Sequence, residues 1–166
     1  MTDVFVAAGS NIEPARNLRR AIDALDETYG PLRISPAYRN RAVGFEGEDF
    51  INLVVGFTTD DAITEVRRNL QRIETLCGRP PAAAKWAPRS MDLDILLYDQ
   101  LVSHEPGLVT PRPDLIRRAY MLKPLFDIAP DIVHPTLHKT IRELWEAFDR
   151  DAHAMTPVDV QPPMPT

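Results

Sequence analysis

Between Lys85 and Asp99 the chain reads KWAPRSMDLDILLYD. In an extended strand successive side chains point to opposite faces. Met91, Leu93, Ile95 and Leu97 then form one apolar face, and Asp92 and Asp94 share the other. The unbroken apolar face predicts a central strand of a sheet. Two carboxylates spaced this way lie roughly 6–7 Å apart. They can share a hard cation such as Mg²⁺, which prefers carboxylate and phosphate oxygens. Taken alone, Asp-x-Asp reads more readily as a solvated acidic face. Lys85, Trp86, Pro88 and Arg89 beside it turn the reading towards a site, with Arg89 as a fixed cation and Trp86 as a flat apolar surface.

At 166 residues the chain suits one domain, read as residues 1–150, with a Pro-rich and disordered tail over 151–166. No window approaches 18 uncharged apolar residues, and the N-terminus lacks the pattern of a signal peptide. Cys77 is the single cysteine, so no internal disulfide can form and a reducing, cytoplasmic setting is expected. Its place on an apolar helical stripe predicts a buried thiol. A net charge of −5 argues against nonspecific nucleic-acid binding. The charge is uneven, however. From Glu65 to Arg89 six basic residues stand against two acidic ones, and from Arg112 to Lys123 four stand against Asp114. If these stretches converge they suit a compact polyanion held beside a metal.

Val4–Ala8 reads as a buried strand ending in the Gly9-Ser10-Asn11 turn. Pro14 opens a helix with Leu18, Ala21, Ile22 and Leu25 on one stripe, stopped by Gly30-Pro31. Leu32–Tyr38 is a second strand. Phe50–Thr58 is a third, with Ile51, Leu53, Val55 and Phe57 on one face and Phe50, Asn52 and Val54 on the other. Asp60 or Asp61 is expected to cap a helix striped by Ile63, Val66, Leu70, Ile73 and Cys77, ending at Gly78. After the Asp-x-Asp strand, Leu101-Val102 and Leu108-Val109 read as short edge strands, and Arg117–Ile128 as a helix despite Pro124. Thr140 and Glu143 form a capping box before a final helix with Trp145 in the core. Strand-helix-strand-strand-helix-strand is the split βαβ order of ferredoxin-like α+β folds. It predicts a mostly antiparallel sheet with both long helices on one face and the C-terminal helices on part of the other.

No Walker-type phosphate loop, dinucleotide fingerprint or zinc-spaced Cys/His cluster occurs. The four histidines are scattered and read as surface residues. Metal-assisted chemistry on a phosphate compound is what remains. The run Arg79…Trp86-Ala87-Pro88-Arg89-x-x-Asp92-Leu93-Asp94-Ile95-Leu96-Leu97-Tyr98 resembles the signature of the 6-hydroxymethyl-7,8-dihydropterin pyrophosphokinase family. Gly9-Ser10-Asn11, Asp49-Phe50-Ile51-Asn52, Gln71-Arg72-Ile73-Glu74 and Leu122-x-Pro124-Leu125-x-x-Ile128-Ala129-Pro130 extend the likeness across residues 3–148.

The resemblance implies a Mg²⁺-dependent transferase that moves a pyrophosphoryl group from ATP to the pterin hydroxymethyl oxygen and releases AMP. It implies that Asp92 and Asp94 hold two Mg²⁺ ions, with Arg79 and Arg89 completing the catalytic set. Gln71, Glu74, Arg79, Trp86, Arg89, Ile95, Thr110, Arg112 and Arg118 would surround ATP. Val43, Phe50, Asn52, Trp86 and Tyr120 would bind the pterin, with Phe50 and Tyr120 stacked on its faces. Loops 40–49 and 79–88 would be lids that exclude water. A monomer without nucleic-acid or membrane partners is expected. The chain departs from the family pattern at Asn40-Arg41-Ala42, at Pro81, and at Pro111-Arg112-Pro113, where Arg112 can stand in for a histidine as a phosphate ligand. These departures keep open a diverged paralogue acting on another pterin. Two further readings compete: a glycosyltransferase-like metal–nucleotide enzyme, and a non-catalytic ferredoxin-like binding module.

Overall fold

The computed structural model describes residues 1–40, 49–78, 91–149 and 155–158. Among the described residues six strands and four α-helices follow in order: β1 (Thr2–Ser10), α1 (Pro14–Tyr29), β2 (Arg33–Ile34), β3 (Ala37–Asn40), β4 (Phe50–Thr59), α2 (Ile63–Leu76), β5 (Asp92–Tyr98), α3 (Ala119–Ile128), α4 (Ile141–Glu146) and β6 (Thr156–Val158). A short 3₁₀ turn, Pro113–Ile116, leads into α3. All strand pairs are antiparallel, and the main sheet runs β5-β1-β4-β3-β6 with β2 also on β4. This is the α+β, ferredoxin-like arrangement expected from the order of elements.

The sheet separates two cores. On one side Val4, Val6 and Ala8 of β1 and Ile51, Leu53, Val55 and Phe57 of β4 pack on Leu18, Ile22 and Leu25 of α1 and Val66, Leu70 and Ile73 of α2. The strict alternation of β4 puts every second residue into this layer, and each buried Leu or Ile contributes about 1.5–3 kcal/mol. On the other side Phe5, Ala7 and Val54 meet Leu115, Leu122, Leu125, Ile141 and Trp145. Thr140 caps α4 with both halves of the capping box in place, and Trp145 lies in the core. Cys77 is a buried thiol whose pKa is pushed up by burial.

Several local expectations change. β5 is not central: among the described residues it pairs with β1 alone, at the edge of the sheet. Its inner face is apolar because α2 lies beneath it, not because strands flank it on both sides. The edge is guarded by side-chain and loop groups. The Leu93 N–H donates to Glu74 Oε2 at 2.8 Å, and the Leu96 carbonyl accepts from the Arg112 N–H at 3.0 Å. The alternation of β5 also breaks. Val6 pairs with Ile95 but Phe5 with Leu97, so Leu96 is an extra residue, and Leu96 and Leu97 both enter the second core while Met91 and Leu93 stay in the first.

The second strand is split into β2 and β3 at Ser35-Pro36, where the Ser35 hydroxyl accepts from the Val54 N–H at 2.8 Å. Neither Asp60 nor Asp61 caps α2. Its N-cap is Ala62, with no side-chain cap bond, and the Asp61 N–H is itself taken by the Thr59 hydroxyl. The pair read as edge strands near 101–109 yields a single bridge, Ser103 with Thr110. His134 is buried rather than superficial, its Nδ1 facing the backbone N–H groups of Thr136 and Leu137 at 3.3 and 3.2 Å. Within the stretch expected to be a disordered tail, Thr156–Val158 pairs with Ala37–Arg39 as an edge strand. β3 offers an open ladder there, and Pro157 is tolerated because an edge strand need not donate on both sides.

Candidate active site

The carboxylates sit on the sheet face that carries α3. Asp92 and Asp94 flank Leu93, which points into the opposite core, so both project to the α3 side and both are half-buried. Arg112 enters from the loop before α3, held by its backbone bond to Leu96. Its guanidinium reaches Asp94 at 3.5 Å and Asp114 at 3.9 Å. Its Nε is buried with no hydrogen-bond partner among the described residues. A buried guanidinium nitrogen of this kind leaves donor capacity at the site.

Beside this pair a cavity of about 320 Å³ opens between α2 and the 107–112 loop. Its walls bring together Gln71, Glu74, Ile95, Thr110 and Arg112, five of the residues assigned to ATP from the sequence, with Asp94 of the expected metal pair. Arg67 and Leu70 also line it, as do Leu108 and Val109. None of these was assigned to the nucleotide from the sequence, although Arg67 belongs to the basic stretch suited to a polyanion and is one helical turn before Gln71 and two before Glu74, a spacing that puts all three on one face. Ile63 continues the same face, eleven residues before Glu74, so the cavity follows α2 for about 16 Å. That length suits an extended nucleotide, with apolar walls at the Ile63 end and charged groups at the Glu74 end. The Thr110 hydroxyl donates to the Leu101 carbonyl at 3.1 Å, which fixes the loop that forms one wall.

Of the second group of expected residues, Phe50 and Asn52 lie along the same sheet face. Asp92 pairs in register with Gly9, Gly9 with Asn52, and Asn52 with Tyr38, forming one row across four strands. At about 4.8 Å per strand, Asn52 stands roughly 10 Å from Asp92. Asn52 is buried and donates from Nδ2 to Asn40 Oδ1. The absence of a side chain at Gly9 makes room for it: a Cβ there would collide with Asn52 Oδ1 and lie 3.8 Å from Phe50 Cδ1. The Tyr38 hydroxyl donates to Asp127 of α3, and Lys123 Nζ meets the other oxygen of Asp127 at 2.5 Å. This bond ties β3 to the helix that carries Tyr120.

Tyr120 is half-buried one residue into α3, after the N-cap Arg118. Burial, more than any charge, raises its pKa; Arg118 and Arg112 oppose the shift, while Asp114 and Asp94 add to it. The phenol therefore stays protonated, suited to stacking or donating rather than to accepting a proton. Val43, Arg79, Trp86 and Arg89, and most of both expected lid loops, lie outside the described residues.

The oxygen-only donor set of Asp92 and Asp94 fits a hard divalent cation. Among the described residues no group of three or more His, Cys, Asp or Glu side chains converges. Mg²⁺ does not require one, since it is commonly held by one or two carboxylates together with substrate phosphates and water. No described helix is long and apolar enough to cross a membrane.

Residues 5–130 match the family described as 7,8-dihydro-6-hydroxymethylpterin-pyrophosphokinase (HPPK). The chain is 33% identical over 145 residues to the 2-amino-4-hydroxy-6-hydroxymethyldihydropteridine pyrophosphokinase of Aquifex aeolicus, covering 86% of this chain and 90% of that one. The enzyme of the same description from Synechocystis is 37% identical over 147 residues, covering 87% and 75%. Among solved structures, the HPPK-DHPS of Plasmodium falciparum with pteroate aligns at a TM-score of 0.68 and 14% identity, over 87% of this chain. The chain spans 44% of that longer one, and at this identity the likeness speaks for the fold alone. With the matched profile running from β1 through α3, and the strand, turn and carboxylates of the site all inside it, the chain belongs to the 7,8-dihydro-6-hydroxymethylpterin-pyrophosphokinase family.

Proposed function

We propose that this protein transfers the terminal diphosphate of ATP to the hydroxymethyl group of 6-hydroxymethyl-7,8-dihydropterin in folate biosynthesis, with Mg²⁺ required. The observation that carries the reading is the convergence of Gln71, Glu74, Asp94, Ile95, Thr110 and Arg112 on one elongated cavity ending at the Asp-x-Asp strand. In the reaction the hydroxymethyl oxygen attacks the β-phosphorus of ATP. The bond from that phosphorus to the α,β-bridging oxygen breaks, AMP leaves with the electron pair, and the hydroxyl proton passes to solvent.

The chain's contribution is positioning and charge. The nucleotide lies along α2, its base against Leu70, Ile95 and Leu108 and its phosphates towards Glu74, Asp94 and Arg112. Asp92 and Asp94 would hold Mg²⁺, which would supply positive charge to offset the negative charge of transfer. Arg112 and Arg118, with Arg79 and Arg89 by family resemblance, steady the triphosphate. The pterin occupies the Asn52 end of the face, between Phe50 and Tyr120, close enough to the carboxylate row for its hydroxymethyl oxygen to reach the β-phosphorus. Trp86 and Val43 complete the pocket by family resemblance.

The test is incubation with ATP and 6-hydroxymethyl-7,8-dihydropterin, with and without Mg²⁺. AMP should accumulate only when both substrates and the metal are present. AMP formation that ignores the pterin, or that persists in excess chelator, would contradict the reading.

A further inference from the structure

Two buried amides face each other on the α3 side of the sheet. Asn52 Nδ2 donates to Asn40 Oδ1, and both residues are less than a tenth exposed. Neither element alone sets this contact. Asn40 is the last residue of β3, opposite Phe50 in register, and Asn52 stands two residues further along β4, so the bond runs diagonally across the β3–β4 pair. A second feature holds the other end of the amide. Asn52 Oδ1 lies over Gly9, at a spot that any Cβ would occupy.

A primary amide is ambiguous as a recognition group, because its oxygen and nitrogen can exchange places by rotation about χ2. Here Nδ2 is committed to Asn40, and rotation of Asn52 alone would set its oxygen against the Asn40 oxygen, two acceptors with no proton between them; the order reverses only if both amides turn together. The lock leaves Asn52 presenting its carbonyl oxygen and one remaining N–H in a fixed order. A flat heterocycle is then read in one orientation only, with a ring N–H or amino group meeting Oδ1.

We infer that Asn40 is a positioning residue that fixes the side-chain amide of Asn52 and thereby sets which hydrogen-bonding edge of the acceptor heterocycle this protein accepts. The inference rests on the proposed function for the identity of that heterocycle, but the lock is a property of the ligand-free chain. Asn40→Leu keeps the branched shape and removes the acceptor. Asn40→Asp keeps the acceptor and serves as the conservative rescue.

Two readouts separate the possibilities. The first is NMR of the Asn52 side-chain N–H₂ in the ligand-free protein. The wild type should show one slowly exchanging proton, and Asn40→Leu should lose that protection. The second is steady-state kinetics. Asn40→Leu should raise the pterin KM about tenfold, leave the ATP KM unchanged and lower kcat little, while Asn40→Asp stays near the wild type. Unaltered Asn52 exchange in Asn40→Leu would overturn the lock. Loss of protection with an unchanged pterin KM, or with both KM values rising together, would overturn its role in selection. If the wild type turned over no pterin at all, the proposed function would fail, and the exchange data would still decide the lock.

Discussion

Arg112 holds Asp94 at 3.5 Å across the mouth of the cavity, although the two residues are eighteen positions apart and on different elements. Both side chains are about one-third exposed, so the pair is partly screened and contributes modestly to stability. Its importance is in charge balance. Under the proposed function, a triphosphate with its metal would let Asp94 turn to the cation and Arg112 to phosphate without either losing an opposite charge. Arg112→Leu should raise the ATP KM about tenfold or more, with the pterin KM little changed. Arg112→Lys should recover only part of the loss, because an ammonium lacks the guanidinium fork. Initial-rate kinetics in each substrate check this.

Asp94→Ala should abolish nearly all turnover while leaving the fold intact, since the Asp94 side chain is about one-third exposed at the sheet edge. The measurement pairs a turnover assay with a denaturant midpoint. Near-full activity in Asp94→Ala would remove the carboxylate from the metal site.

Glu74 serves the sheet as well as the site. It accepts the Leu93 N–H at 2.8 Å on the outer edge of β5. Glu74→Ala leaves that donor without its acceptor beside a buried residue, an expected loss of about 1–3 kcal/mol. Glu74→Gln keeps an acceptor oxygen and should retain most of the stability. Urea unfolding, with amide exchange at Leu93, distinguishes the two.

Gly9→Ala should be destabilising by about 1–3 kcal/mol, because the new methyl group meets Asn52 Oδ1 in a buried row between two paired strands. The neighbouring Ala8→Gly change, on the other face, should leave the Asn52 amide signal in place. Comparison of thermal midpoints and of the Asn52 side-chain resonances tests both.

His134 gives the fold a pH dependence. Burial first, and His138 second, lower its pKa below the ordinary 6.5. Its Nδ1 faces two backbone N–H groups, which suits the neutral ring. The folded state therefore resists protonation that the unfolded chain accepts. This stabilisation is complete above about pH 6.5 and declines as pH falls from there towards the lowered folded value. His134→Asn, which keeps an acceptor near those N–H groups, should flatten the decline in stability as pH falls below about 6.5. Denaturant midpoints measured through that range are the check.

Much of the fold can be read from local pattern. The alternation of Ile51, Leu53, Val55 and Phe57, the stripes of α1 and α2, and the Thr140–Glu143 box each follow from one period or one cap, and each stands as expected. Sheet order does not follow from local pattern. The flush apolar face of residues 91–97 suits a strand under strand neighbours or one lying over a helix, and the bulge at Leu96 arises only in the pairing with β1. The same limit applies at the site. The carboxylates, Gln71 and Glu74 were legible as motif residues. Arg67 and the Asn40–Asn52 bond depend on contacts between distant elements, and the signs of Arg67 were its place in the basic stretch from Glu65 to Arg89 and its helical spacing from Gln71. His134 looked like a surface residue because nothing within its loop reveals that the backbone folds around the ring.

The most direct measurement is ³¹P NMR of a reaction containing the protein, Mg²⁺, ATP and 6-hydroxymethyl-7,8-dihydropterin. Transfer of the intact diphosphate predicts two coupled new resonances from a pterin diphosphate, growing in step with AMP. A single uncoupled phosphomonoester resonance with ADP, or inorganic phosphate with no pterin ester, would contradict it.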